Sequence, residues 1–166
     1  MGRWGNVDFS QFRDFQRKLQ RLEDNNIDQF CEKCAKELAS RLLRKVIKRT
    51  PVGHYDDGRI GGTLRRGWSA NSSREAELST AFGGGNSPSN YINNLPIKKN
   101  GTTYEIEIIN PVNYASYVEF GHRTRNHKGW VRGKFMLTVS ENEIRSITPA
   151  LLEKRLNEYL RGIFSD

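Results

Sequence analysis

Apolar residues recur every three or four positions in the first part of the chain and every second position in one later stretch, and this change of period separates the predicted elements. Phe9, Phe12, Phe15, Leu19 and Leu22 form one stripe. They predict a helix from about Asp8 to Glu23, with Asp8 or Ser10 accepting an amide hydrogen bond at its start. Asp24-Asn25-Asn26 breaks the pattern, because these side chains compete for nearby backbone groups. A longer helix is expected from about Ile27 to Arg49, with Ile27, Phe30, Cys31, Cys34, Leu38, Leu42 and the Val46/Ile47 pair on one face. Basic residues crowd its last two turns, where the macrodipole favours cations, and Thr50-Pro51 stops it.

The middle of the chain changes character. Residues 51–62 hold four glycines and a proline and read as a loop. Thr63 to Ala70 is a candidate strand with Leu64, Trp68 and Ala70 apolar, and 83–101, centred on Gly83-Gly84-Gly85, reads as a second loop. From Thr102 to Asn110, Tyr104, Ile106 and Ile108 alternate with Thr103, Glu105 and Glu107, which predicts a strand with one face buried. Pro111 opens a helical stretch to Phe120, in which Tyr114, Tyr117 and Val118 pack and Gly121 serves as a left-handed cap. His122 to Lys134 is a basic loop, and Phe135 to Val139 is a short apolar run that fits helix or strand. Thr148-Pro149 is expected to open a terminal helix carrying Leu151, Leu152, Leu156, Tyr159, Leu160 and Ile163. The expected class is α+β: two N-terminal helices and a C-terminal helix packed on a small antiparallel β-sheet with long loops. One domain spans 1–166, with 1–26 a helical extension and 83–101 and 122–134 flexible interaction loops.

Composition narrows the class without changing the elements. At 166 residues, 36% hydrophobic and 28% charged, the chain reads as one soluble domain of ordinary size. No apolar run reaches the roughly 20 residues that span a bilayer, so no membrane is expected. The first residues lack the apolar segment of a secretory signal, and the chain is expected to stay in the cytoplasm where it is made. Lys plus Arg number 27 against 19 Asp plus Glu, a formal charge of +8. That excess favours phosphate backbones or acidic proteins as partners and specifies neither.

Candidate chemistry is sparse. Cys31-Glu-Lys-Cys34 has the spacing of redox and zinc sites, but a zinc site needs four ligands and a redox pair sits at a helix start after a strand. Two cysteines on the continuing face of a helix read better as core residues. His54, His122 and His127 have no nucleophile and acid converging with them, and the glycine run lacks the following helix of a phosphate cradle. No catalytic, cofactor or metal residues are therefore assigned, and no enzyme activity is expected. The sharpest feature is the loop from His122 to Lys134, which holds Arg123, Arg125, Lys128, Arg132 and Lys134 around Trp130 with no acidic residue. Three readings of it stand: a solvated loop with its Trp in the core, an anchor for a neighbouring subunit or partner, or a nucleic-acid contact.

Two stretches together resemble a known family. Arg49-Thr-Pro-Val-Gly, Asp57-Gly-Arg-Ile and Leu64-Arg-Arg-Gly-Trp68 resemble one conserved-looking segment of tailed-bacteriophage neck or tail-completion proteins, and Asn113-Tyr-Ala-Ser-Tyr-Val-Glu-Phe-Gly-His-Arg-Thr124 resembles their second box. A basic loop and the apolar start of a helix (Gly133-Lys-Phe-Met-Leu) follow, and the likeness covers roughly residues 30–165. This chain departs by inserting Tyr55-Asp56 and Ile60-Gly61-Gly62 and by reading Phe-Met-Leu where many members read Phe-Leu-Arg-Pro. Its N-terminal helix and insertion look like those of contractile-tailed phages and phage-tail-like particles of Gram-positive bacteria.

The resemblance implies a head–tail connector or tail-completion subunit: a homo-oligomer ring, hexamer or dodecamer, at the neck. Implied neighbours are adjacent neck, head-closure, tail-terminator or tail-tube proteins, with weak contact to DNA in the channel and no cofactor. The implied location is the virion or a phage-tail-like particle assembled in the bacterial cytoplasm. Tyr117, Glu119, Phe120, Gly121, His122, Arg123, Arg125, Trp130 and Arg132 are the expected interface, joined by the Gly83–Asn90 loop. Tyr114, Tyr117, Val118 and Phe120 are expected to form a hydrophobic base for the second loop, which a tight turn at Gly121 would aim. The alternative function is a basic nucleic-acid-binding accessory protein, motivated by the net charge and by the cluster at Arg41–Arg49.

Overall fold

A computed structural model describes residues 19–20, 26–85 and 87–164. The helix expected over 8–23 lies outside the described residues, save for Leu19 and Gln20. The first full element, α1, runs Asn26–Arg49 and matches the expected long helix. Short helices α2 (Thr63–Gly67), α3 (Ser73–Phe82) and α4 (Pro88–Asn94) follow, then strands β1 (Lys98–Asn100) and β2 (Thr103–Glu105). Helix α5 (Ala115–Phe120) leads directly into strand β3 (Gly121–Arg123), which precedes β4 (Trp130–Arg132) and the 29-residue helix α6 (Met136–Phe164). The class is α+β, with the strands divided between two antiparallel pairs, β1–β2 and β3–β4.

The frame is the antiparallel pair α1–α6. Arg49 donates to Ser140 Oγ (2.6 Å) and to Glu143 (2.7 Å), Lys45 reaches the other Glu143 oxygen (2.7 Å), and Arg155 forks onto Glu37. The Phe30 and Tyr159 rings stack at 4.6 Å at the far end. This frame explains why α6 starts at Met136 and passes through Pro149, where the sequence predicted a helix start. Proline removes one ladder hydrogen bond and crowds the preceding turn. Contacts to α1 on both sides of Pro149 hold the two halves in line, and the Thr148 hydroxyl bonds the Ile144 carbonyl at 2.8 Å.

The core lies where Ala39, Leu43 and Val46 of α1 meet Leu64, Trp68, Ala70, Ala76, Tyr91, Ile92, Val112 and Met136. Thr63–Ala70, expected as a strand, instead begins as α2. Its buried residues Leu64, Gly67 and Trp68 follow helical spacing, and burying them outweighs the weak local preference for a strand. The first family-like segment closes this region. Fully buried Thr50 gives its hydroxyl to the Val46 carbonyl (2.7 Å) and accepts from Trp68 Nε1 (2.8 Å), while Arg65 donates to the Thr50 carbonyl (2.7 Å). The 83–101 segment is not wholly loop, because Ser87 caps α4 by accepting from Asn90 N–H (3.2 Å), Pro88 sits in its first turn, and β1 follows. The expected strand over 102–110 pairs only across Thr103–Glu105.

Candidate functional site

The second family-like segment builds a projection tied to the start of α6 by hydrogen bonds. Glu119 is buried, at 5% exposure, and turns inward onto the start of α6. Its carboxylate accepts from the Leu137 N–H (2.9 Å), the Thr138 N–H (2.9 Å) and the Thr138 hydroxyl (2.8 Å). The first amides of a helix have no partner within it, and the macrodipole favours negative charge there. Glu119 supplies both needs from 18 residues away. Backbone bonds from Lys134 N–H to the Val118 carbonyl (2.7 Å) and from Phe135 N–H to the Glu119 carbonyl (3.0 Å) complete the junction and hold Phe135 at φ 49°.

Two glycines allow this close approach. A Cβ at Gly133 would collide with the Glu119 carbonyl, and one at Gly121 with the Val131 carbonyl. Gly121 has φ 89° and ψ 171°, so the positive φ expected there is present, but with extended ψ it leads straight into β3 and makes no left-handed cap.

Residues 122–134, expected as a flexible loop, form a hairpin with Gly121 opposite Arg132, His122 opposite Val131 and Arg123 opposite Trp130. Its tip is tied by Thr124, whose N–H donates to the Gly129 carbonyl (3.0 Å) and whose hydroxyl accepts from the Gly129 N–H (2.9 Å). Trp130 is 63% exposed, which removes the reading in which it enters the core. Tyr117 and Phe120 are 59% and 61% exposed, and Tyr114 is exposed as well. The hydrophobic base expected from Tyr114, Tyr117, Val118 and Phe120 reduces to Val118, the one of them that packs against the core. The outward aromatic surface rests instead on the Glu119 and Gly133 junction. The Tyr117 and His122 rings lie 5.8 Å apart, and Arg123, Arg125, Lys128, Arg132 and Lys134 are all exposed around them.

Of the nine expected interface residues, Tyr117, Phe120, His122, Arg123, Arg125, Trp130 and Arg132 thus share one projection, on which Gly121 is the half-buried pivot. Glu119 is the positioning residue beneath them. Further exposed apolar residues lie on α3 before the glycine run, where Phe82 is 84% exposed and Leu78 is exposed too, while exposed Tyr55 and Ile60 line a cleft with Thr80 and Ala81. Nothing in the periodicity of the sequence separates Phe82 from a core residue. Its position at the last turn of α3, before three glycines with positive φ, is the only signal.

The other candidates are drawn into structure. Cys34 is buried and Cys31 half-buried, both as free thiols, and burial with neighbouring Cys31 and Glu37 pushes the Cys34 thiol up, away from the reactive thiolate. In the basic cluster of α1, Arg41 pairs with Glu37, Lys45 and Arg49 pair with Glu143, and Arg44 donates to Ser89 Oγ. Among the described residues no group of three or more His, Cys, Asp or Glu could hold a metal ion, and no helix is long and apolar enough to cross a membrane.

Comparison with known proteins gives one result. The model of the family described as "Bacteriophage HK97-gp10, putative tail-component" matches residues 13–121, about two-thirds of the chain. It takes in the first family-like segment and the second as far as the pivot Gly121, so His122 to Thr124, the rest of the hairpin and α6 lie outside the matched stretch, which is shorter at this end than the likeness expected over 30–165. No curated protein and no solved structure matches the chain.

Proposed function

The chain belongs to the HK97-gp10 family of phage tail components, and from that membership we propose that it forms a hexameric or dodecameric ring at the neck, the head-proximal end of the tail, completing tail assembly or joining head to tail. The observation that carries this reading is the exposure of Tyr117 and Phe120 on α5 and of Trp130 on the hairpin that follows it, both tied to the start of α6. Clustered exposed aromatics with arginines are the usual composition of an interface centre. A rigid support means that little ordering entropy is lost when they are covered. Exposed Phe82 and Leu78 on α3 offer a second apolar patch, and a closed ring needs two different patches on each subunit.

In such a ring the adjacent neck, head-closure, tail-terminator or tail-tube proteins cover the faces that sister copies leave open. Arginines turned toward the channel would touch passing DNA weakly. Of the two grounds for the nucleic-acid-binding alternative, the net charge stands and the Arg41–Arg49 cluster weakens, because most of it is already paired within the chain. Electron microscopy of particles made without this protein tests the reading. Unjoined heads and tails, or tails of abnormal length, are expected, and normal particles would refute it.

A further inference from the structure

The period-2 pattern of residues 103–110 survives in the structure even where its ladder does not. Burial alternates through the whole stretch, with Tyr104, Ile106, Ile108 and Asn110 half-buried and Thr103, Glu105, Glu107 and Ile109 exposed. Strand pairing nevertheless ends at Glu105, which faces Lys98. Continued, the register would set Ile97 against Ile106 and Pro96 against Glu107. Pro96 has no N–H to give, and Leu95 already turns back into α4 by bonding the Ile92 carbonyl. The two segments therefore diverge, and among the described residues no backbone hydrogen bond reaches residues 106–109. Between them lies a groove of about 480 Å³ lined by Tyr91, Leu95, Pro96, Ile106 and Ile109, with Glu105, Glu107 and Lys98 at its rim. A half-buried strand with an open edge and an apolar slot beside it is a template for one more strand.

We propose that this slot receives strand β4, Trp130-Val131-Arg132, from a second copy of this chain, so that the hairpin of one subunit extends the β1–β2 sheet of the next. Three features select that occupant. In a two-stranded pair β4 has one edge without a partner, so it can donate to and accept from residues 106–109. Trp130 is a large exposed apolar side chain, and the groove is lined by the apolar side chains of Tyr91, Leu95, Pro96, Ile106 and Ile109. The hairpin carries five basic residues and no acidic one, whereas the slot is net negative, with Glu105 beside a Glu107 that Lys98 approaches at 3.7 Å. Hairpin and slot are different surfaces of the same chain, as a head-to-tail ring contact requires.

This inference rests on the ring reading above, and the experiment separates the two. Assembly of the full chain is followed by sedimentation and by incorporation into particles. The E105R/E107R pair and the R125E/R132E pair should each raise the concentration of half-assembly about tenfold or more, and the four changes together should restore it. All four positions are exposed, and unchanged melting of each variant confirms its fold. In the unaltered protein, the amides of residues 106–109 should exchange rapidly in the monomer and become protected on assembly. If E105R/E107R assembles normally and residues 106–109 gain no protection, while Trp130→Ala blocks assembly, the slot is not the partner and the ring stands. A chain that assembles neither alone nor in particles overturns both.

Discussion

Thr50 and Trp130 both sit in or beside the segments that carry the family likeness, yet their surroundings are opposite. Around Thr50 the hydroxyl, the carbonyl, the Trp68 indole N–H and the Arg65 guanidinium satisfy one another in a space closed to water. Around Trp130 the backbone is tied just as firmly, by Thr124, Gly129, Glu119 and the α6 amides, but the aromatic rings stand in solvent. The first segment does its work within one subunit. The second aims a surface that gains its apolar burial only when something covers it, which is why a short motif can be well defined without contributing to the core.

The contrast makes quantitative demands. Trp68→Ala empties a core site and removes the indole donor to the Thr50 hydroxyl, and should cost about 3–5 kcal/mol in urea unfolding. Glu119→Ala strips the α6 terminus of its distant cap and should cost about 2–3 kcal/mol, with faster amide exchange at Leu137 and Thr138. The α1–α6 frame supplies a smaller, pH-dependent part. Hydrogen bonds from Arg155, then Arg41, lower the Glu37 carboxyl from an ordinary 4.5 to about 2. Its folded value lies below its unfolded one, so its stabilisation is complete above about pH 5 and disappears as the pH falls toward 2. That contribution is about 1–2 kcal/mol once solvent screening of the arginines is allowed for. Glu37→Gln should flatten the acid limb of the stability curve accordingly. Trp130→Ala should change monomer stability by no more than about 0.5 kcal/mol while impairing assembly. Equal destabilisation by Trp68→Ala and Trp130→Ala would erase the distinction between the two segments.

Residues Ile27 to Arg49 were legible as a helix because one apolar face repeats over more than six turns, so the local signal is long enough to outweigh its neighbours. Pro149 misled because proline is a local stop, whereas the continuity of α6 comes from α1 residues about a hundred positions earlier. Thr63–Gly67 is too short for its period to choose between helix and strand, and burial against α1 decided it. Glu119 was expected at the interface with its neighbours in the motif, since nothing local announces that its partners are amides 18 and 19 residues on. The basic, acid-free composition of residues 122–134 was visible in the residues themselves. That they form a hairpin needed the Gly121 and Gly133 backbones to touch the α5–α6 junction.

What the amino-acid order determined alone was therefore periodicity and chemistry: the long helix, the alternation over 103–110, and the clustering of arginines with Trp130. Which side chains face inward was left to the tertiary structure, because burial depends on contacts between segments far apart in the chain. Tyr114, Tyr117 and Phe120 repeat at helical spacing as a core stripe would. They lie in water because Glu119 and Val118 of the same short helix take the inward positions against α6 and the core.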